Sequence, residues 1–147
     1  MSDLELVREC ALFYELYDEE FKEFIEDCHI ESYDPNTEIV TVGETGEDFF
    51  VILKGSVNVL IPADMQPVNV ATLKSGDFFG ELVLIDDLIR NATVVTKEKS
   101  SCLVVPVKVF YNFYNKNPKV FSLILLNISK VLITRLKIAN EKVAQLI

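Results

Sequence analysis

Glu81 and Arg90 are the two side chains whose types and spacing point most directly to chemistry. They lie in the segment GDFFGELVLIDDLIRNATVV, residues 76–95. Phe79-Gly80-Glu81 ends a strand at a glycine and opens a short Leu-Val-Leu-Ile turn, so backbone N–H groups from Gly80 to Val83 are expected at a helix N-terminus, where an anion is held readily. Arg90 is expected at the start of the next strand, followed by Asn91 and the small Ala92. Folding back of the intervening turn would bring guanidinium, N–H groups and one carboxylate onto a pocket of ligand size. A guanidinium matches two phosphate oxygens through paired hydrogen bonds, and a carboxylate is the natural acceptor for a sugar hydroxyl. The pair therefore fits a ribose cyclic phosphate.

Other chemistries find no support. His29 is the only histidine, so neither a metal centre nor the ligand cluster of a metal-dependent barrel enzyme is expected. Ser100-Ser101-Cys102 has no base in sequence context and reads as a turn and strand start. Cys10, Cys28 and Cys102 are odd in number and widely spaced, which fits reduced thiols and a cytoplasmic protein. MSDLELVREC lacks the basic and apolar regions of a secretory signal. The formal net charge of −9 argues against a nucleic-acid surface, which needs clustered Lys and Arg. Val120 to Ile133 is shorter than the ~20 residues that span a bilayer and is assigned to a buried helix. No cofactor and no catalytic set is expected.

The elements that must position the pair follow from periodicity. Half of the 147 residues are apolar and a quarter are charged, the balance of one ordinary folded domain. Residues 1–27 read as one or two short amphipathic helices, with Leu12, Leu16, Phe21, Phe24 and Ile25 inward and Asp18 and Glu20 capping the run EFKEFIEDC. From 28 to 106 short apolar runs, FFVIL, SVNVLI, VNVATL, NATVVT and SCLVV, are separated by turn signals. This predicts an all-β barrel or sandwich, with Gly55 in a tight hairpin turn at positive φ and Asn36 in a similar turn. Phe49, Phe50, Phe78 and Phe79 are expected in its core.

Residues 107–147 return to helical spacing. Tyr111, Phe113 and Tyr114 are expected to pack a hinge against the barrel, and Asn117-Pro118 marks a break before a long helix. Phe121, Leu125, Ile128, Leu132, Leu136, Ala139, Val143 and Leu146 form one apolar stripe, and Val120, Ile124, Val131 and Ile138 a second. Either one stripe covers the barrel while the other meets a second copy, or one wide face covers the core.

The segment FGELVLIDDLIRNATV, together with GETGEDFFVILKGSVNV and LKSGDFFGE upstream, resembles the cyclic-nucleotide-binding domain family. The likeness runs from about Leu12 to about Gln145. It implies a mainly β fold with flanking helices, a jelly-roll-like β-roll (double-stranded β-helix) with a phosphate-binding cassette at 79–93, N-terminal helices and a long C-terminal helix. It also implies that Glu81 accepts the ribose 2′-hydroxyl, that Arg90 pairs with the cyclic phosphate of cAMP or cGMP, and that backbone groups at Gly80, Leu82, Val83 and Ala92 complete the cradle. Asn91 stands where the family commonly has Ala, Thr or Ser, which leaves adenine and guanine both open. Asp87-Leu88-Ile89 stands where the kinase cassette has Gly-x-Pro before its arginine, which places Asp86 and Asp87 near an anion, and both are expected to face solvent. TRLKIANEKV resembles the dimer helix of bacterial activators, making Arg135 and Asn140 candidates to cap the base, with ordinary exposed helix residues as the alternative. A homodimer and a separate effector protein are the implied partners, since no helix-turn-helix follows near Ile147. The competing class is a fold that has lost its ligand and serves as a structural or dimerisation module.

Overall fold

The computed structural model describes residues 2–147; Met1, the first residue of the expected N-terminal segment, lies outside the described residues. Helices α1 (Asp3–Glu9) and α2 (Asp18–Ile25) flank a 3₁₀ turn at Ala11–Phe13. The Glu20 carboxylate accepts from the Tyr17 N–H at 2.9 Å. Tyr17 is therefore the cap, and Asp18 lies one place inside the helix.

Eight antiparallel strands follow: β1 (His29–Tyr33), β2 (Glu38–Val40), β3 (Asp48–Lys54), β4 (Ser56–Ile61), β5 (Val68–Lys74), β6 (Phe78–Phe79), β7 (Thr93–Thr96) and β8 (Ser100–Pro106). They form two four-stranded sheets, ordered β1-β8-β3-β6 and β2-β7-β4-β5, the jelly-roll-like β-roll expected. The outer strands β1 and β2 were not among the runs legible in the sequence, because they are short and polar, whereas β6 is the strand expected to end at Phe79.

The central strands explain the continuous apolar runs. Phe49, Val51 and Leu53 of β3, with Leu103 and Val105 of β8, face the helices. Phe50 and Ile52, with Cys102 and Val104, face the interior of the roll. Both faces of these strands are covered, so alternation with polar residues disappears. Each fully buried phenylalanine contributes roughly 1.5–3 kcal/mol, and Phe49 and Phe78 are among the largest such side chains.

Gly55 has φ 90°, as its turn position demands. It does not close a hairpin, however, because β3 and β4 belong to different sheets. The chain crosses between sheets there, and a Cβ would stand 2.1 Å from Ser100 Oγ. Asn36 also takes a positive φ, of 62°.

Helices α3 (Val107–Lys116) and α4 (Pro118–Gln145) complete the chain, with Asn117 capping α4 through its side chain and Pro118 in the first turn. Phe113 is buried, whereas Tyr111 and Tyr114 are largely exposed. At ~1.5 Å per residue α4 is about 42 Å long, and only its first half is packed. Val120, Ile124, Asn127 and Ile128 are buried, and every residue from Leu136 onward is exposed. The run Val120 to Ile133 is thus buried on one face only, with Leu125, Leu126 and Ile133 exposed. The inward face draws Ile128 from one expected stripe and Val120 and Ile124 from the other. A registry error of this kind is what two adjacent stripes on a helix invite, since three- and four-residue steps connect them. Asn127, which interrupts the apolar run, donates 3.0 Å hydrogen bonds to the carbonyls of both Leu12 and Tyr14, tying α4 to the N-terminal 3₁₀ turn.

Candidate ligand site in the β-roll

A cavity of about 240 Å³ opens between the inner face of the second sheet and the segment 80–92. Val40, Val59, Ile61, Ala71, Leu73 and Val94 supply apolar walls from four strands. Phe79, stacked on Phe50 at 5.0 Å, joins these walls from the facing sheet.

Gly80 has φ 81°, a left-handed conformation that turns the chain out of β6 and into a 3₁₀ turn at Glu81–Ile85. The expected helix terminus is therefore a single five-residue turn, too short for a summed dipole, and what it offers is local N–H groups. Gly80, Glu81 and Leu82 line the cavity. Val83 does not: its N–H reaches back to the Gly80 carbonyl at 3.5 Å and its side chain lies in the core beside the helices.

Arg90 lines the cavity from irregular backbone, three residues ahead of β7 and not at a strand start. Its loop is pinned to the 43–46 turn by backbone bonds from Gly43 N–H to the Arg90 carbonyl, Gly46 N–H to the Leu88 carbonyl and Arg90 N–H to the Glu44 carbonyl, each 2.8–2.9 Å. The guanidinium donates to the carbonyl of Asp48 at 2.8 Å and of Gly80 at 3.4 Å. No carboxylate lies within ion-pair distance of it among the described residues. Burial lowers its pKa from the ordinary value, opposed by the Asp48 carboxylate. A half-buried cation with backbone partners and no counter-ion is a strong recruiting point for an anion.

Gly46 makes room for this arrangement. A Cβ there would meet Arg90 Nη2 at 2.5 Å, and one on Gly80 would meet Nη1 at 3.2 Å. Sequence reasoning missed Gly46, although it sits in the turn signal GETGED.

Asn91 and Ala92 border the same cavity, Asn91 exposed and Ala92 buried. Both aspartates are exposed, Asp86 at φ 60°; of the two, Asp87 also forms part of the cavity rim. From α4, Arg135 enters the site: Nη1 donates to Glu81 at 3.4 Å, Nη2 to the Phe78 carbonyl at 2.6 Å, and the guanidinium covers the Phe78 ring at 4.7 Å. Asn140 is not at this cavity; it lies on the exposed outer surface of α4 with Ile133 and Leu136. Tyr111 donates its hydroxyl to the Leu84 carbonyl, joining α3 to the end of the 3₁₀ turn.

Thiol and metal chemistry stay outside this geometry. Burial pushes the Cys10 thiol up to about 11 and those of Cys28 and Cys102 up to about 12. His29 is a β1 residue paired with Glu31 at 2.9 Å. No helix among the described residues is long and apolar enough to cross a membrane.

Known proteins resemble this chain in sequence and in fold. The chain is 33% identical over 125 residues to the cAMP-activated global transcriptional regulator CRP of Salmonella typhimurium, covering 84% of this chain and 58% of that protein. It is 33% identical over 107 residues to human cGMP-dependent protein kinase 2, covering 71% of this chain and 14% of the kinase. The chain thus spans well under two thirds of either relative. A cyclic nucleotide-binding domain from Methylobacillus flagellatus superposes with a TM-score of 0.85 at 22% identity, over 96% of this chain and 80% of that one, a likeness of fold. Residues 30–117, from β1 to the end of α3 and including the whole cavity segment, match the family model described as the cyclic nucleotide-binding domain. With that match laid over the roll and its Gly80-to-Ala92 segment, the chain belongs to the cyclic-nucleotide-binding domain family.

Proposed function

We propose that this chain is a regulatory sensor that binds cAMP or cGMP in the β-roll cavity and signals through α4 to a partner protein. The observation that carries the reading is Arg90: its guanidinium is half-buried at the wall of a 240 Å³ cavity, held by two backbone carbonyls and with no carboxylate within ion-pair distance among the described residues. Arg90 pairs with the cyclic phosphate, Glu81 accepts the ribose 2′-hydroxyl, and N–H groups at Gly80, Leu82 and Ala92 complete the cradle. The apolar strands take the base, with Asn91 at its edge.

Arg135 couples the site to α4. It pairs with Glu81 at 3.4 Å, so a ribose hydroxyl that takes over this carboxylate biases the position of the helix, a population shift driven by differential affinity. Leu136, Ala139, Val143 and Leu146 recur at three- and four-residue steps along the projecting part of α4, which suits a seam with a second copy. Arg135 is the base cap one chain can supply; Asn140 would reach a base only from a second copy crossing the cavity mouth. We place this activity in the cytoplasm, where three free cysteines remain reduced.

Calorimetric titration with cAMP and cGMP, beside an Arg90→Ala control, tests the sensor. Micromolar or tighter binding that is lost in the control supports it and identifies the base. Absence of binding to both transfers the assignment to a ligand-free dimerisation module, a reading favoured by the Glu81–Arg135 pair already in place. Sedimentation that shows a monomer at high concentration, with and without nucleotide, would remove the dimer.

A further inference from the structure

We infer that Asp87 makes this site selective for a singly charged cyclic phosphodiester over the corresponding 5′-monophosphate; the inference rests on the sensor reading above. Four charged side chains border the cavity: Glu81, Asp87, Arg90 and Arg135. Glu81 and Arg135 are paired at 3.4 Å, which leaves one guanidinium and one carboxylate uncompensated.

The backbone fixes where that carboxylate stands. Asp87 N–H bonds the Leu82 carbonyl at 3.2 Å, and Leu88, next in the chain, accepts from Gly46 N–H at 2.9 Å. Asp87 is thus tied on one side to the turn that carries Glu81 and on the other to the turn that carries Gly46, on the same rim as Arg90 three residues later. Its neighbour Asp86, in a left-handed conformation, is exposed and does not border the cavity. One of two adjacent aspartates therefore borders the ligand space.

The consequence follows from charge. A cyclic phosphodiester carries a single negative charge that Arg90 neutralises. A 5′-monophosphate carries nearly two at neutral pH, because its second pKa is about 6. Arg90 answers the first charge and Arg135 caps the base, so the second charge meets Asp87. Ring opening of a cyclic nucleotide thereby converts a matched ligand into a repelled one without any change in the base or the ribose 2′-hydroxyl.

The test is a competition experiment in which the bound cyclic nucleotide and its 5′-monophosphate displace a fluorescent cyclic nucleotide from wild type, Asp87→Asn and Asp86→Asn at pH 7.5 and low salt. The quantity read is the ratio of the two dissociation constants. Asp87→Asn is expected to narrow that ratio ~3- to 10-fold, mainly by tightening the monophosphate, as one solvent-screened charge at the rim allows. Asp86→Asn, an equal change in net charge, leaves it unaltered, and added salt shrinks the Asp87 effect. An unchanged ratio in Asp87→Asn, a monophosphate that still fails to compete at millimolar concentration, or equal effects of both variants overturns the inference while leaving the sensor intact. Failure of wild type to bind either cyclic nucleotide overturns the sensor reading and this one with it.

Discussion

The Arg90 guanidinium occupies the place a side chain on Gly46 would take, with Nη2 2.5 Å from the position of a Cβ. Because the clashing atoms are the far end of a flexible side chain, Gly46→Ala is expected to cost the fold little, about 1 kcal/mol or less. It displaces the guanidinium from the Asp48 carbonyl, so cyclic-nucleotide affinity should fall at least ~10-fold, the equivalent of one charge-assisted bond. Calorimetry beside urea denaturation separates the two effects. A variant that binds as tightly as wild type removes Gly46 from the design of the site.

Glu81 and Arg135 join the 3₁₀ turn to α4 through a contact that is partly open to water, with side-chain exposures of 23% and 30%. A double-mutant cycle with Glu81→Gln and Arg135→Met should give a coupling of about 0.5–1 kcal/mol in the unliganded protein, the range for screened pairs. Saturating cyclic nucleotide should change this coupling. The same coupling with and without nucleotide would argue that α4 does not sense the carboxylate.

Asn127 is expected to matter more for stability than any charged residue on α4. Asn127→Ala strands two inward-facing carbonyls, of Leu12 and Tyr14, and opens a small gap, which together should cost about 2–4 kcal/mol. Urea denaturation followed by circular dichroism measures this directly. A loss below about 1 kcal/mol would mean that water replaces the amide at both carbonyls.

Alkaline pH should destabilise the fold. Burial raises the thiols of Cys10, Cys28 and Cys102 from 9.0 to about 11, 12 and 12, and burial with the Glu31 carboxylate raises the Tyr33 phenol as well. Between the unfolded and folded values the native state holds more protons than the unfolded chain, so unfolding free energy declines as pH rises. The stabilisation is complete below pH 9 and is lost progressively from there toward 12. Urea midpoints at pH 8 and 10.5 should differ, and thiol-reactive dye should label native protein slowly at pH 8. Rapid labelling of all three thiols in the native state contradicts their burial.

The residues show which features are local and which are global. Gly55 and Asn36 require positive φ for reasons confined to their own turns, so the conformation was legible, yet the partner of the strand beyond Gly55 was not. Pairing across a sheet depends on segments far apart in the chain, and a turn residue carries no information about them. Strands β3 and β8 announced themselves as unbroken apolar runs because they are covered on both sides, while β1 and β2 are short or solvent-facing and left no period to read.

The same division holds at the site. Local sequence alone determined that Gly80, Glu81, Arg90, Asn91 and Ala92 belong together, because one turn and the loop after it carry them all. Only the tertiary structure decided that Val83 turns into the core, that Arg135 arrives from α4 while Asn140 stays outside, that Gly46 clears space for Arg90, and that Asp87 borders the cavity when Asp86 does not. Each of these depends on the path of chain segments packed against one another at a distance in sequence. Residue types and short spacings can specify the chemistry a segment is able to perform, but the direction in which a side chain points is set by the surfaces that close around it.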